Sequence, residues 1–337
     1  MLHVAINGFG RIGRNFLRAY CLDQSARQSF VVKAINTGPY LGANIAHCFT
    51  YDSLLGTYTG DVYQEGSRLY INGVCIELLA QKDVSDIDWS VWNIDWVVDA
   101  SGKFTHADKA RLHIQSGAKH VLITAPSYAE DISIVPGVNM HEFHASKHII
   151  VSLGSCTTNA LMPLIKVVHE TFGIENATMT TTHAYTNSQK LLDSESDDLR
   201  TARAAAINII PTKTGADRMV GLFFPVLADH VRCISVRVPV AKVSLIDFTF
   251  LAQRPLLVDT LQSALEYAIA GELAGIMSMT YENLVSCDFY GNSSSVIIDA
   301  PLLSVKGQIG KVFGWYDNEW GYSVRLKDFL VWAAQHP

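Results

Sequence analysis

Short, nearly continuous apolar runs alternate with helical patterns through the first half of the chain. Val4–Asn7, Phe30–Ile35, Asp95–Asp99 and His120–Thr124 are brief and rich in Val and Ile. Strands that are apolar on both faces suit a parallel sheet covered on both sides. Between the first two runs, Arg11–Cys21 sets Ile12, Phe16, Leu17 and Tyr20 along one helical stripe. Strand, glycine turn, helix and strand make a βαβ unit.

Beyond about residue 150 the pattern changes. One amphipathic helix comes first, with Leu161, Leu164, Ile165 and Val168 at i, i+3, i+4 and i+7 spacing and Gly173 at the place of a C-terminal cap. Strand-like runs follow at Thr178–His183, Cys233–Val238, Ser244–Leu251, Ser295–Ile298 and Lys311–Trp315, separated by long polar stretches. Val258–Ala270 repeats Leu261, Leu265 and Ala268 on one helical face, and Tyr322–Gln335 again has helical spacing. This pattern predicts an α+β second domain with a mainly antiparallel sheet behind an α/β first domain. There are no repeats and no Pro- or Ser-rich linker.

Composition narrows the function classes. The length of 337 residues suits two domains. The chain is 49% hydrophobic and only 17% charged, which implies large buried areas within the core or between subunits. A net charge of −6 argues against a non-specific nucleic-acid binder. No apolar run approaches the roughly 18 residues of a membrane span. The N-terminus lacks the parts of a signal peptide, so a cytoplasmic location is the default expectation. Six cysteines lie scattered without Cys-x-x-Cys spacing, which disfavours zinc and thioredoxin-like chemistry. All except Cys156 are expected to be small hydrophobes without a chemical role.

Gly8-Phe9-Gly10-Arg11-Ile12-Gly13 is a G-x-G-x-x-G run between a predicted strand and a predicted helix. In that setting it predicts a Rossmann-type dinucleotide site. The first glycine allows the turn, the second lets the backbone approach a pyrophosphate, and the third lets the helix pack on the sheet. The alternative is a tight turn with packing glycines and no ligand. The second strand ends at Asn36-Thr37, cofactor-lining positions where NAD sites usually carry Asp or Glu for the ribose. Thr37 cannot repel a 2′-phosphate, so NADP is compatible, but no arginine follows immediately to bind that phosphate, and NAD is the expected cofactor. Asp23 precedes that strand and does not substitute.

Ser155-Cys156-Thr157-Thr158-Asn159 stands directly before the amphipathic helix, which puts Cys156 at a helix N-terminus. There the helix dipole favours a thiolate, a strong nucleophile toward an aldehyde carbon. Thr and Asn capping a helix beside an inert Cys would read the same way. His183 ends a strand that leads into the polar segment Ala184–Arg203, a place suited to chemistry. Spacing does not show that it meets Cys156.

At this point the chain resembles the glyceraldehyde-3-phosphate dehydrogenase family over essentially its whole length. The motifs that carry the resemblance run from Ile6 to Arg14, Ser155 to Asn159, His183-Ala184-Tyr185-Thr186, Ile209-Ile210-Pro211 with Thr214-Gly215, Val236-Arg237-Val238-Pro239, and Trp315 to Tyr322. The resemblance implies a nucleophile at Cys156 and an acid/base at His183. It places Thr186 and Arg237 at the substrate phosphate, and Ser155, Thr157, Thr214 and Gly215 at inorganic phosphate. Asn318 is implied to orient the nicotinamide amide. Gly8, Phe9, Gly10, Arg11 and Ile12 are implied to cradle the pyrophosphate, and Ser101 and Thr124 to line the cofactor.

It further implies a homotetramer and two domains. These are a dinucleotide-binding domain at 1–155, to which a C-terminal helix at 319–337 returns, and a catalytic and tetramerisation domain at 156–318. The implied reaction is phosphorylating oxidation of glyceraldehyde 3-phosphate to 1,3-bisphosphoglycerate through a hemithioacetal and thioester on Cys156. The partners are then a small phosphorylated aldehyde and inorganic phosphate. Alternatives are an erythrose-4-phosphate dehydrogenase, or a non-catalytic or moonlighting binding protein on the same fold.

The chain also departs from the family pattern. Thr37 stands at the usual Asp, Ser194-Glu195 at a common Leu-Pro pair, Leu153-Gly154 at a common Asn-Ala, and Ala160 at a frequent second Cys. Arg200-Thr201 stands where many members have two arginines, leaving Arg200 or Arg203 to compensate.

Overall fold

The computed structural model describes residues 1–42 and 44–336. They form two units. The first comprises Met1–Ile134, Asn139–Ser155 and the chain from Ser323 on; the second comprises Val135–Val138 and Cys156–Tyr322.

In the first unit, six strands run parallel in the order Ile132–Ser133, Ile150–Ser152, His120–Ile123, Trp96–Asp99, Leu2–Asn7 and Phe30–Asn36, and Val74–Leu79 joins parallel at the side of Phe30–Asn36. The inner strands are buried at nearly every position, as a sheet covered on both faces requires. The helix Arg11–Leu22 buries Phe16, Leu17 and Tyr20, so its apolar stripe faces the core. Arg18 on this helix is buried as well. It stays charged because its guanidinium donates to the carbonyls of Phe49, Thr50 and Gly56.

One feature of this sheet has no counterpart among the predicted elements. Val62–Glu65, Arg68–Ile71 and Val74–Leu79 form an antiparallel extension of the parallel sheet. Its strands are short and partly exposed, so they show neither the continuous apolar run of a buried strand nor a long alternation.

In the second unit the sheet order is Ile210–Thr212, Val231–Val238, Ile174–Ala184, Ser244–Ala252, Ile309–Tyr316, Val296–Asp299 and Met277–Thr280, with Ser304–Lys306 paired to Ile309–Tyr316. Only Ile174–Ala184 with Val231–Val238, and Met277–Thr280 with Val296–Asp299, are parallel pairs among the described strands. The fold class is thus a Rossmann-type α/β domain joined to an α+β domain whose sheet is mainly antiparallel.

Burial alternates strictly along Ser244–Ala252. The buried set, with Phe248 and Phe250, packs with Leu161, Leu164 and Ile165 of the helix Cys156–Phe172 and with Leu261 and Leu265 of Val258–Ala270. Gly173 ends the first of these helices at φ +68°, its amide donating to the His169 carbonyl at 2.9 Å. A left-handed residue at that position is what glycine supplies at least cost.

The last helix, Trp320–Ala333, starts on Asp317. The Asp317 carboxylate accepts from the amides of Glu319 and Trp320, which satisfies donors the helix itself leaves open. Among the described residues no helix is long and apolar enough to cross a membrane.

Candidate active site

In the first unit the glycine run joins the strand Leu2–Asn7 to the helix Arg11–Leu22. Gly8 has φ +94°, and a Cβ there would come within 2.6 Å of the Ser101 backbone. A Cβ at Gly13 would lie 2.3 Å from the Gly8 carbonyl oxygen. These two glycines serve the turn and the packing. Gly10 is different, because a Cβ there would meet nothing within 4 Å. Gly10 borders a cavity of about 370 Å³ with Gly8, Asn36, Thr37 and Ser101. No side chain caps the helix that begins after Gly10, so its first amides face outward as an anion site would need. The residues therefore fit a dinucleotide pyrophosphate.

The side chains around this run divide by task. Arg11 is paired with Asp52, and that pairing, with burial opposing it, holds Asp52 down at about 2. Arg11 thus offers its backbone to the cradle, with its guanidinium held by a carboxylate. The described cavity lining omits Arg11, Ile12, Gly13 and Thr124. Thr124 is held by its amide, which donates to the Asp99 carbonyl. The lining does include Lys82 and Lys103, and no carboxylate among the described residues. Thr37 Oγ1 lies 2.9 Å from the Tyr40 carbonyl oxygen and 3.0 Å from that of Leu79, so its single proton is held between the two acceptors.

A buried network under this floor escaped the motif. Asn36 Nδ2 donates to Asn7 Oδ1 at 2.8 Å, and Asn7 Nδ2 donates to Asp99 Oδ2 at 2.7 Å. The indole of Trp89 donates to His113 Nδ1, so His113 Nε2 carries the proton and donates to Asp99 at 3.0 Å. Ser101 Oγ completes the Asp99 shell at 2.8 Å. Asn7, Asp99 and Asn36 end three neighbouring parallel strands, which is where an α/β sheet presents its ligand. Polar residues closing apolar strands were the available signal.

In the second unit Cys156 opens the helix Cys156–Phe172, and His183 lies one residue from the end of the strand Ile174–Ala184. Their side chains meet, with Sγ 3.5 Å from Nε2. Arg237 is the register partner of His183 on the adjacent parallel strand. Its Nη1 lies 3.0 Å from the Ala184 carbonyl oxygen and 2.8 Å from His183 Nδ1, while Nδ1 is 2.6 Å from that same oxygen. Nδ1 cannot both donate to the oxygen and accept from arginine. The carbonyl has two lone pairs and accepts both donors, so we assign the proton to Nδ1. Nε2 then presents a lone pair to Cys156.

Burial, followed by the Arg237 charge at close range, lowers His183 to about 3. Burial pushes the Cys156 thiol up, and the same Arg237 charge pulls it back. Desolvation thus raises the thiol in spite of its place at a helix start. Guanidinium and imidazole act in the opposite sense. Arg237 disfavours imidazolium and favours thiolate, which suits a neutral base beside a nucleophile.

Asn318 is buried, and its Oδ1 accepts from Ser244 Oγ at 3.3 Å. Ser244 Oγ also accepts from the Ala184 amide at 3.1 Å. The Asn318 carboxamide is thereby held through Oδ1. Beside it, Lys242 and Asp317 form a fully buried ion pair at 2.9 Å, and Val243 sits at φ +67°. A β-branched residue there is strained and needs surrounding structure to hold it.

Thr186 Oγ1 is 2.9 Å from Ser188 Oγ. Thr157 is buried, with its hydroxyl 3.0 Å from that of Tyr316. Gly215 caps the helix Ala216–Phe223, and Thr214 Oγ1 accepts from the Ala216 amide. Thr214 borders a cavity of about 700 Å³ with Arg200 and Lys213. Arg203 Nε donates to Asp193 at 2.7 Å. Of the two arginines beside Thr201, Arg200 lines the cavity of Thr214, whereas Arg203 is engaged by a carboxylate. Ser155 belongs to the first unit.

The C-terminal domain of glyceraldehyde 3-phosphate dehydrogenase matches residues 155–318, and the NAD binding domain of the same enzyme matches residues 2–107. The chain belongs to the glyceraldehyde-3-phosphate dehydrogenase family. It is 41% identical over 337 residues to glyceraldehyde-3-phosphate dehydrogenase 2 of Trichormus variabilis, covering 99% of both chains. It is 44% identical over 336 residues to glyceraldehyde-3-phosphate dehydrogenase 2 of Streptomyces avermitilis, and 43% identical over 334 residues to the plasmid-encoded enzyme of Cupriavidus necator. Each of these two alignments spans 99% of this chain and 98% of the relative. The Cys156–His183 contact brings the Cys156–Asn159 and His183–Thr186 runs together in the second unit.

Proposed function

We propose that this chain oxidises glyceraldehyde 3-phosphate to 1,3-bisphosphoglycerate with NAD or NADP and inorganic phosphate. The observation that carries the proposal is the 3.5 Å contact between Cys156 Sγ and His183 Nε2, combined with membership of the family. Nε2 takes the thiol proton as Sγ adds to the aldehyde carbon and returns it to the aldehyde oxygen, giving a hemithioacetal on Cys156 and a neutral His183. His183 then holds the proton of the hemithioacetal hydroxyl as that carbon is oxidised. The Cys156 backbone amide and His183 stabilise the oxyanion. A bound nicotinamide supplies the hydride acceptor. The acyl group left on Sγ is a thioester, and inorganic phosphate attacks it, releasing the acyl phosphate and restoring the thiol.

Arg237 and Thr186 bind the substrate phosphate in this scheme. Ser155, Thr157, Thr214 and Gly215 serve inorganic phosphate, with Arg200 and Lys213 as nearby cations. The deciding experiment is a steady-state comparison of glyceraldehyde 3-phosphate and erythrose 4-phosphate, each with and without phosphate. Phosphate-dependent turnover, faster on the triose, is the expected result. Phosphate-independent turnover on the tetrose would assign the chain to the alternative dehydrogenase.

The cofactor cavity supports use of both dinucleotides. Thr37 carries no charge, and Lys82 and Lys103 border the same cavity. Thr37→Asp places a carboxylate at the strand end. It is expected to lower kcat/KM with NADP by about tenfold or more through like-charge repulsion, and to spare NAD. Equal losses with both cofactors would show that residue 37 does not face the ribose.

We also propose a homotetramer in the cytoplasm, the compartment in which a free Cys156 thiol persists. Exposed Ile207, Ile209 and Ile234 lie on or beside one edge of the second sheet, and such a patch favours burial against another copy. Sedimentation equilibrium should give four chains per particle; a monomer would remove the proposal.

A further inference from the structure

The Trp315–Tyr322 motif supplies Asn318 to the scheme above and leaves Tyr316 without a task. We propose that the Tyr316 hydroxyl is a positioning group that sets the Cys156–His183 separation. The proposal rests on Cys156 and His183 acting as nucleophile and base. Tyr316 is the last residue of the strand Ile309–Tyr316 and is 1% exposed. Its hydroxyl lies 3.0 Å from Thr157 Oγ1 and 2.7 Å from Thr181 Oγ1.

Each threonine is tied to one member of the reacting pair. Thr157 follows Cys156 in the first turn of its helix. Thr181 precedes His183 by two residues on its strand, so the two side chains share a face. The Tyr316 ring meets the His183 ring edge-on at 6.0 Å.

A phenylalanine would fill the same volume. The hydroxyl adds one donor and two acceptor sites in a place without water exposure, and a buried tyrosine hydroxyl needs partners. The partners here include one residue on the nucleophile's helix and one on the base's strand, with Ser244 of the neighbouring strand as a third. The hydroxyl is thus a clamp between two elements whose relative position decides whether Nε2 reaches Sγ. A sulfur–nitrogen contact of 3.5 Å has little room to lengthen before it ceases to be a hydrogen bond.

The test is the rate of iodoacetamide alkylation of Cys156 against pH, in the full-length enzyme. Wild type is compared with Tyr316→Phe, Thr181→Val and the double variant, each also in a His183→Gln background. Tyr316→Phe and Thr181→Val should each slow alkylation near neutral pH by about three- to tenfold, the scale of one hydrogen bond. The slowing should be confined to pH below the thiol midpoint, where Nε2 must take the proton as Sγ reacts, and the rates should converge at high pH, where the thiolate is already formed. The double variant should be no slower than Tyr316→Phe, since both changes break one link. In the His183→Gln background neither change should have further effect.

A wild-type profile for Tyr316→Phe overturns the proposal. So does an equal slowing in the His183→Gln background, which would indicate general loosening. Should Tyr316→Phe fail to fold, Thr181→Val alone decides by the same criteria. If wild-type Cys156 itself alkylates no faster than the other cysteines, the nucleophile assignment fails and the proposal falls with it. Rapid wild-type alkylation with an unaffected Tyr316→Phe overturns the clamp alone.

Discussion

Replacing Cys156 by serine is expected to reduce aldehyde oxidation by on the order of 10⁴-fold or more, the scale on which loss of a covalent nucleophile acts. Serine has nearly the same shape, and its hydroxyl would meet the same imidazole. Its proton is far harder to remove than that of a thiol, and the acyl-enzyme would be an ester in place of the more reactive thioester. Folding should change little. Dinucleotide affinity should also persist, because the Gly8–Gly13 turn and the network of Asn7, Asp99 and His113 belong wholly to the first unit. Cofactor-fluorescence titration separates binding from chemistry. Turnover within about tenfold of wild type, with binding intact, would remove Cys156 from the mechanism.

His183→Gln should lower kcat by about 10²–10⁴-fold, the usual range for loss of a general base. Glutamine keeps a polar group near Ala184 and Arg237, so the loss would report on the proton and not on the space. The same variant carries a pH signature. His183 is lowered from 6.5 to about 3 by burial and by Arg237. A histidine kept neutral in the folded state contributes stability that is fully present above its unfolded pKa. As pH falls from 6.5 toward 3 the unfolded chain gains a proton that the folded chain refuses, and this stability is lost. Denaturant midpoints should therefore show wild type losing its margin over His183→Gln between those two pH values. Parallel curves across that window would mean that His183 titrates normally in the fold.

The legible part of the site was the part written in local geometry. Gly8 and Gly13 announced their turn because only glycine tolerates the approaches found there, to Ser101 for Gly8 and to the Gly8 carbonyl for Gly13. The helix after Cys156 was visible in the spacing of Leu161, Leu164, Ile165 and Val168, all of which are buried. The strand ending at His183 was likewise recognisable, although four residues longer at its start than the sequence pattern marked and one longer at its end. The antiparallel extension at Val62–Leu79 was not, because its half-exposed strands carry mixed residues.

What the sequence by itself determined was the order of elements, the dinucleotide turn, the placement of Cys156 at a helix start and, through its motifs, the family. Those features depend on residues close together in the chain, where periodicity and backbone sterics act directly. Only the tertiary structure decided that His183 reaches Cys156 across 27 residues, and that Arg237, 54 residues further on, presses on the same imidazole. It also decided that Tyr316 joins Thr157 to Thr181 and that burial raises the thiol. Strand pairing makes these contacts, and desolvation depends on everything packed around a group. Neither is set by a residue's neighbours in sequence.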